Sequence, residues 1–115
     1  MGRRGNWVIL HGPLSIQEAK IVHIDGRQVP AVWCWIMTDR PALGGRHHVV
    51  AYGRLAQEIG VFVGAANGKR IQASINGWLR TSDEENSVVV ADRITFHAPP
   101  EILAEAKRRL NQIVD

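Results

Sequence analysis

The chain of 115 residues carries four tryptophans and one tyrosine, and most of these rings fall in segments that alternate like β-strands. Trp33 and Trp35 lie in one such segment, Tyr52 ends another, and Trp78 lies in a third. Basic side chains occur in or beside the same segments: Arg40, Arg46, His48, Arg54, Arg70 and Arg80. Because aromatic rings stack on nucleobases and cations bind phosphates, this combination of residue types suits a single-stranded nucleic acid.

Each of these aromatic residues also has a structural interpretation. Trp33 and Trp35 can instead pack in a subunit interface or beneath a terminal helix, since a large exposed apolar patch marks either use. The direction of Trp78 stays open because Gly77 precedes it, and glycine within a strand often marks a bulge. Trp7 and Phe96 fall in apolar runs, which predicts packing in the core or at its rim.

The elements that position these rings centre on a strand that leads directly into a helix. Residues 46–52 alternate at period two, and Leu55, Ile59 and Phe62 recur at helical spacing, so the helix begins near Gly53. Further strands are predicted over 6–12, 19–24, 29–38, 70–80 and 88–96, with a turn at Gly12-Pro13 and a hairpin at Asp25-Gly26.

A β-rich chain interrupted once by a helix is the plan of an oligonucleotide-binding (OB) barrel. The sequence therefore predicts an all-β fold, a five-stranded OB barrel with one helix between strands 3 and 4.

Pro100-Glu101 predicts the start of an added C-terminal amphipathic helix. We expect residues 1–97 to form the OB domain and 98–115 to form this helix. Its apolar face must pack on its own barrel or on another chain. That face comprises Leu103, Ala106, Leu110 and Ile113.

Composition narrows the class of protein further. A net charge of +3 and a pI near 9.6 favour a polyanionic partner. Cys34 is the single cysteine, so no internal disulfide forms, which suits a reducing cytoplasm. Apolar runs fall short of the ~20 residues that a membrane-spanning helix needs. We therefore expect a cytoplasmic protein with no membrane partner.

The histidines and potential nucleophiles do not predict catalysis. His47 and His48 are adjacent on a strand and point to opposite faces, so they cannot readily chelate one ion together. His11, His23 and His97 have no partner at ligand spacing in the sequence. Nucleophile, base and orienting group are not spaced as a triad. The sequence thus predicts no catalytic residue, no metal and no cofactor.

With the strands placed, residues 5 to 96 resemble bacterial single-stranded DNA-binding proteins. The resemblance rests on three motifs in the right order and spacing: Asn6-x-Val8-Ile9-Leu10-x-Gly12-x-Leu14, His47-x-Val49-Val50-x-Tyr52-Gly53-x-Leu55-Ala56 and Ile75-x-Gly77-x-Leu79-Arg80-Thr81. It implies a homodimer or homotetramer that wraps single strands. It also implies that Tyr52 stacks on a base and that His47 lies near a subunit interface.

The chain departs from that family in three places. Arg46 replaces the usual tryptophan, Asp83-Glu84-Glu85 replaces an expected aromatic residue, and a basic amphipathic helix occupies the place of the family's long, acidic-tipped tail. The resemblance therefore implies strand binding more directly than recruitment of partner enzymes. A small, tail-less primosomal barrel protein is the nearest variant.

Two functional hypotheses follow. The leading one is single-stranded DNA binding with little sequence preference in replication, recombination or repair, with replication or recombination proteins as possible partners. The alternative is an oligomeric primosome-type or other protein-interaction module with secondary DNA or RNA binding. In that alternative the outward tryptophans and the last helix bury each other in an assembly. The predicted interface residues are His47, Leu103, Leu110 and Ile113.

Overall fold

The computed structural model describes residues 6–38, 45–81 and 87–113. These residues form a five-stranded closed barrel with two helices, and the strands follow one another in the order β1-β2-β3-β5-β4. Neighbouring strands are antiparallel except for the parallel pair β3 and β5. This confirms the predicted five-stranded OB barrel. The elements are β1 Val8–Ile24, β2 Arg27–Met37, β3 Arg46–Tyr52, α1 Arg54–Ala66, β4 Ile71–Thr81, β5 Ser87–His97 and α2 Pro100–Gln112.

The turn expected at Gly12-Pro13 is wrong, because β1 is one strand of 17 residues. Its first half pairs with β4 and its second half with β2, and Leu14 is aligned with residues of both partners. Gly12 is required by a close approach, since a Cβ at this position would overlap the carbonyl oxygen of Met37. The glycine therefore lets one long strand bend around the barrel.

The junction of β3 and α1 forms where the sequence predicts it. Gly53 has φ 65°, a left-handed conformation that costs glycine little. Its N–H donates to the carbonyl of Pro30 at 2.8 Å, and its own carbonyl accepts from Gln57 N–H at 3.1 Å. Gly53 thus ends pairing with β2 and begins the helix within one residue.

Inward-facing residues of all five strands form the core, which α1 closes at one end with Ala56, Ile59, Phe62 and Ala66. Phe62 stacks on Phe96, with ring centroids 4.1 Å apart and planes 7° from parallel.

Phe96 packs against the core as expected, whereas the expectation for Trp7 is wrong. Val8 packs inward, so alternation turns Trp7 outward, and its side chain is 56% exposed.

Cys34 lies at the centre of this core on β2 and is 0% exposed. Burial raises the pKa of its thiol to about 12, because desolvation disfavours the thiolate. We expect Cys34 to resist a thiol reagent such as DTNB in the native protein and to react fully in denaturant. Rapid reaction of the native protein at pH 8 would contradict this burial, and Cys34→Ala provides the blank for the measurement.

Helix α2 packs on its own chain, chiefly against α1. Ile102 and Ala106 are buried, and Leu103 and Leu110 pack against the core while partly exposed. The rest of the same chain, chiefly α1, therefore covers most of the predicted apolar face. Ile113 follows the helix and is exposed. Contact of this face with another chain stays a prediction.

Candidate nucleic-acid interface

The predicted stacking residues lie on the outer surface of one continuous sheet. Trp33 is opposite Val50, Trp35 is opposite His48, and Ala31 is opposite Tyr52 across β2 and β3. Aligned residues of neighbouring strands point to the same side. The two tryptophans and Tyr52 therefore share the outward face, whereas the alternate residues Cys34 and Val49 face the core.

The direction of Trp78, which the sequence left open, is set by the pairing of β4 with β5. A register shift occurs between Asn76 and Gly77. A Cβ at Gly77 would overlap the carbonyl oxygen of Val90, so β5 approaches β4 closely here. After the shift, Trp78 is opposite Val90, which in turn is aligned with Val50 of β3. Trp78 consequently points outward beside the other rings.

Trp7 extends this arrangement, although sequence reasoning did not include it in the site. Val8 is opposite Gly77, and the side chain of Asn6 bonds both the N–H and the carbonyl of Leu79 at 3.0 and 2.9 Å. One residue beyond Val8, the register places Trp7 beside Trp78. Trp7 precedes Ile9 by two residues, so period-two alternation places both side chains on the outward side of the sheet. This spacing is the sequence signal that could have identified Trp7. We call the outward surface of Trp7, Trp33, Trp35, Tyr52 and Trp78 the aromatic face.

The centre of the aromatic face is sealed from solvent. Val50 points outward, yet it is 0% exposed, and the outward Val90 is 8% exposed. Neighbouring side chains on the same face must therefore cover both valines. The register places Trp33 at one end of this row and Trp78 at the other. Trp33 and Trp78 therefore flank two outward-facing valines that are buried.

Among the rings of the aromatic face, Trp35 contacts the largest number of basic side chains. The imidazole of His48 stacks on it, with centroids 4.3 Å apart and planes 21° from parallel. The guanidinium carbon of Arg46 lies over the indole at 4.4 Å from its centroid. His48 Nε2 is also 2.6 Å from the side-chain oxygen of Gln17. This arrangement places a cation and two flat rings within reach of one nucleotide.

Partial burial lowers the pKa of His48, because desolvation disfavours the imidazolium. At neutral pH His48 therefore offers a neutral ring, and the charge beside Trp35 comes from Arg46. Because the native state favours the neutral form, the stability contributed by His48 is present above the unfolded pKa of ~6.5 and is lost as the pH falls below it.

We expect the NMR titration midpoint of His48 to lie below ~6.5, the midpoint of an unperturbed histidine. The His48→Gln variant assigns the resonance by its disappearance. A midpoint at or above that value would contradict the burial argument.

Two further rings on the aromatic face carry a basic neighbour. Arg80 donates a hydrogen bond from Nη1 to the hydroxyl of Tyr52 at 3.1 Å, and its guanidinium carbon lies 6.0 Å from that ring's centroid. Lys20 Nζ lies 5.1 Å from the centroid of Trp33. Sequence reasoning missed Lys20, because only the pairing of β1 with β2 brings it next to that strand. Exposed cation–π contacts of this kind contribute ~0.5–1 kcal/mol, so a ligand can displace them.

Pockets lie on both sides of Trp35 and Arg46, which line each of them. Arg70 lines the first, which has a volume of about 260 Å³, so the structure brings this predicted residue to the aromatic face. The other residues of the first pocket are Pro13, Leu14, Ser15 and Met37. Those of the second are His47, His48, Leu79, Ser87 and Val89.

The remaining predicted residues have different positions. Arg54 begins α1 and lies 3.5 Å from Glu58, with its side chain 72% exposed. His47 is aligned with Ile36 on the inward side of the sheet and reaches the second pocket. Arg40 lies outside the described residues, as do Asp83, Glu84 and Glu85. The interface role predicted for His47 stays a prediction.

The topology and the aromatic face define the fold as an OB barrel with a helix between β3 and β4. The sequence matches no protein-family model and no curated protein. Among solved structures, the chain is similar to the crystal structure of the SSB domain of a Synechococcus sp. protein. The two share 19% sequence identity over 77% of this chain and 92% of that one, with a TM-score of 0.51.

The chain is also similar to the dimeric structure of the N-terminal domain of the PriB protein from Thermoanaerobacter tencongensis. In this case the identity is 16%, the coverage is 83% of this chain and 99% of that one, and the TM-score is 0.48. At such identities the SSB domain supports the assignment of the OB fold. The case for a function therefore depends on the residues of this chain.

Proposed function

We propose that this protein binds single-stranded DNA with little sequence preference and acts in replication, recombination or repair by binding and not by catalysis. The observation that carries the proposal is the aromatic face, on which large rings stand beside Lys20, Arg46, Arg70 and Arg80. Rings supply stacking surfaces for bases, and the cations supply contacts for phosphates. The OB fold supports the proposal because the outer surface of its barrel strands binds oligonucleotides in other proteins of this fold.

The contacts on the aromatic face suggest how the strand binds. In the free protein the cations of Lys20, Arg46 and Arg80 lie near the rings of Trp33, Trp35 and Tyr52. A base that stacks on a ring replaces a weak cation–π contact, and the cation is then free to contact the phosphate of the same strand. Every base has a π-face, so this exchange does not depend on sequence.

Titration with oligo-dT of graded lengths tests the proposal. We expect quenching of tryptophan fluorescence that saturates, together with an affinity that falls as salt rises because phosphate contacts release counterions. Blunt duplex DNA of the same length serves as the control, since paired bases cannot stack on the rings. Unchanged fluorescence and unchanged mobility of the oligonucleotide at low salt would contradict the proposal.

RNA is the nearest competing ligand. The described part of the aromatic face presents rings and cations, which bind either nucleic acid, whereas discrimination requires a contact to the 2′-hydroxyl. We propose DNA as the physiological ligand on the resemblance to single-stranded DNA-binding proteins. Competition between matched dT and rU oligomers tests this choice, and tighter binding of rU would contradict it.

A protein-interaction module is the second candidate, supported by one observation on β1. Ile9 is 74% exposed and lies beside the exposed Trp7, which makes an apolar patch on a strand. This candidate predicts a homodimer or homotetramer that Ile9→Asp dissociates, measured as mass by light scattering. If that variant binds oligo-dT as tightly as the wild type, assembly and DNA binding use separable surfaces. An Ile9→Asp variant of unchanged mass would contradict assembly through this patch.

A further inference from the structure

Two histidines that are far apart in the sequence meet on the outer surface of β1, β4 and β5. His11 Nδ1 lies 2.8 Å from the Ser74 hydroxyl oxygen, and His97 Nε2 lies 2.9 Å from the same atom. Their ring centroids are 5.3 Å apart. Neither histidine has a partner at ligand spacing in the sequence, because 86 positions separate them and only the pairing of β4 with both neighbours brings them together.

We propose that His11, Ser74 and His97 form a surface site for a first-row divalent transition-metal ion such as Zn²⁺. Neutral imidazole is a preferred ligand of these ions, with Zn–N distances of ~2.0–2.1 Å. Two imidazoles bound to one ion at the tetrahedral angle have ring centroids about 5 Å apart, close to the separation observed here. Both nitrogens already converge on one point, so binding requires only small adjustments of the side chains.

The Ser74 hydroxyl marks the position next to which the ion binds. A hydroxyl donates one proton and accepts others, so it can bond to both imidazoles before the metal arrives. The imidazole whose N–H donates to the hydroxyl changes tautomer, so that its proton moves through water to the other ring nitrogen and both facing nitrogens offer a lone pair. The ion then replaces these hydrogen bonds, with the hydroxyl and water completing its coordination. Within the described residues, no three His, Cys, Asp or Glu side chains lie close enough together to hold a metal ion. The site is therefore open and differs from a closed structural zinc site.

The site lies apart from Trp35 and the basic residues Arg46 and His48 that contact it. Ser74 lies on β4 two outward positions before Trp78, because Ser74, Asn76 and Trp78 alternate with the inward Ala73 and Ile75. His11 and His97 are both exposed, so an ion reaches them without opening the barrel. Metal binding and base stacking thus use different residues, and each can be tested without the other.

Calorimetric titration of the untagged, metal-free protein with ZnCl₂ tests the proposal. We expect one ion per chain at this site and about tenfold or greater weakening in His11→Gln and in His97→Gln. His23→Gln is the matched control, because it removes an exposed histidine of β1 and should leave the affinity unchanged. Unfolding of each metal-free variant is measured in parallel to verify the fold.

Two results would overturn the proposal. One is the absence of zinc uptake by the wild-type protein. The other is an equal zinc affinity in the wild type, His11→Gln and His97→Gln, even if these variants unfold more readily, since that pattern assigns the histidines a structural role alone. The absorption spectrum of bound Co²⁺ gives an independent measurement, and its loss in either variant is the expected result. Oligo-dT binding by the two variants is measured separately from zinc binding. Failure of the zinc proposal can therefore be told apart from failure of the proposed DNA-binding function.

Discussion

Alanine at Gly12 or Gly77 is expected to destabilise the protein strongly. At both positions an added Cβ would overlap a backbone carbonyl oxygen, that of Met37 or that of Val90. Backbone cannot rotate away as a flexible side chain can, so the strands must separate. Overpacking of this kind typically costs 1–3 kcal/mol and occasionally more, and we expect about 3 kcal/mol or more here. Urea unfolding followed by circular dichroism measures the change.

Gly60→Ala is the control for both substitutions. Gly60 lies on the exposed side of α1, with open space around the position of a Cβ. Alanine has the higher helix propensity, so this variant should gain ~0.5–1 kcal/mol. Wild-type stability of Gly12→Ala and Gly77→Ala would show that β1 and β5 do not make the close approaches described above.

Replacement of Trp35 by alanine is expected to cause the largest single loss of oligo-dT affinity. Trp35 contacts both His48 and Arg46 and lines the pockets on its two sides. Stacking of one base on an aromatic ring is worth ~1–3 kcal/mol, so affinity should fall about 5- to 150-fold. Trp35→Phe keeps a flat ring and should restore most of the binding. Fluorescence anisotropy of labelled dT measures all three proteins.

Arg46→Ala separates the contribution of charge from that of stacking. If Arg46 contacts one phosphate, its loss should reduce the slope of log affinity against log salt by about 0.7. Arg108→Ala removes the same charge from α2, where Arg108 is bonded to Glu105 at 2.6 Å, and should leave the slope unchanged. Equal affinities of wild type, Trp35→Ala and Arg46→Ala, with all three folded, would remove Trp35 and Arg46 from the proposed site.

The sequence determined the local features of this protein. Alternation and helical spacing predicted the strand–helix junction at Gly53, and the order of the elements predicted the OB barrel. Period-two alternation also placed His48 and Tyr52 on one face of β3. These inferences succeeded because strand and helix periodicity depend on residues a few positions apart.

The tertiary structure decided which distant residues meet. It turned Trp78 and Trp7 outward, brought Lys20 to Trp33, and joined His11 to His97 through Ser74. β1 also continues through Gly12-Pro13, where local turn signals had predicted that the strand would end. Each of these outcomes depends on the register between strands that are remote in the chain. A register shift or a close backbone approach is fixed by packing of the whole barrel, which no short stretch of residues specifies alone.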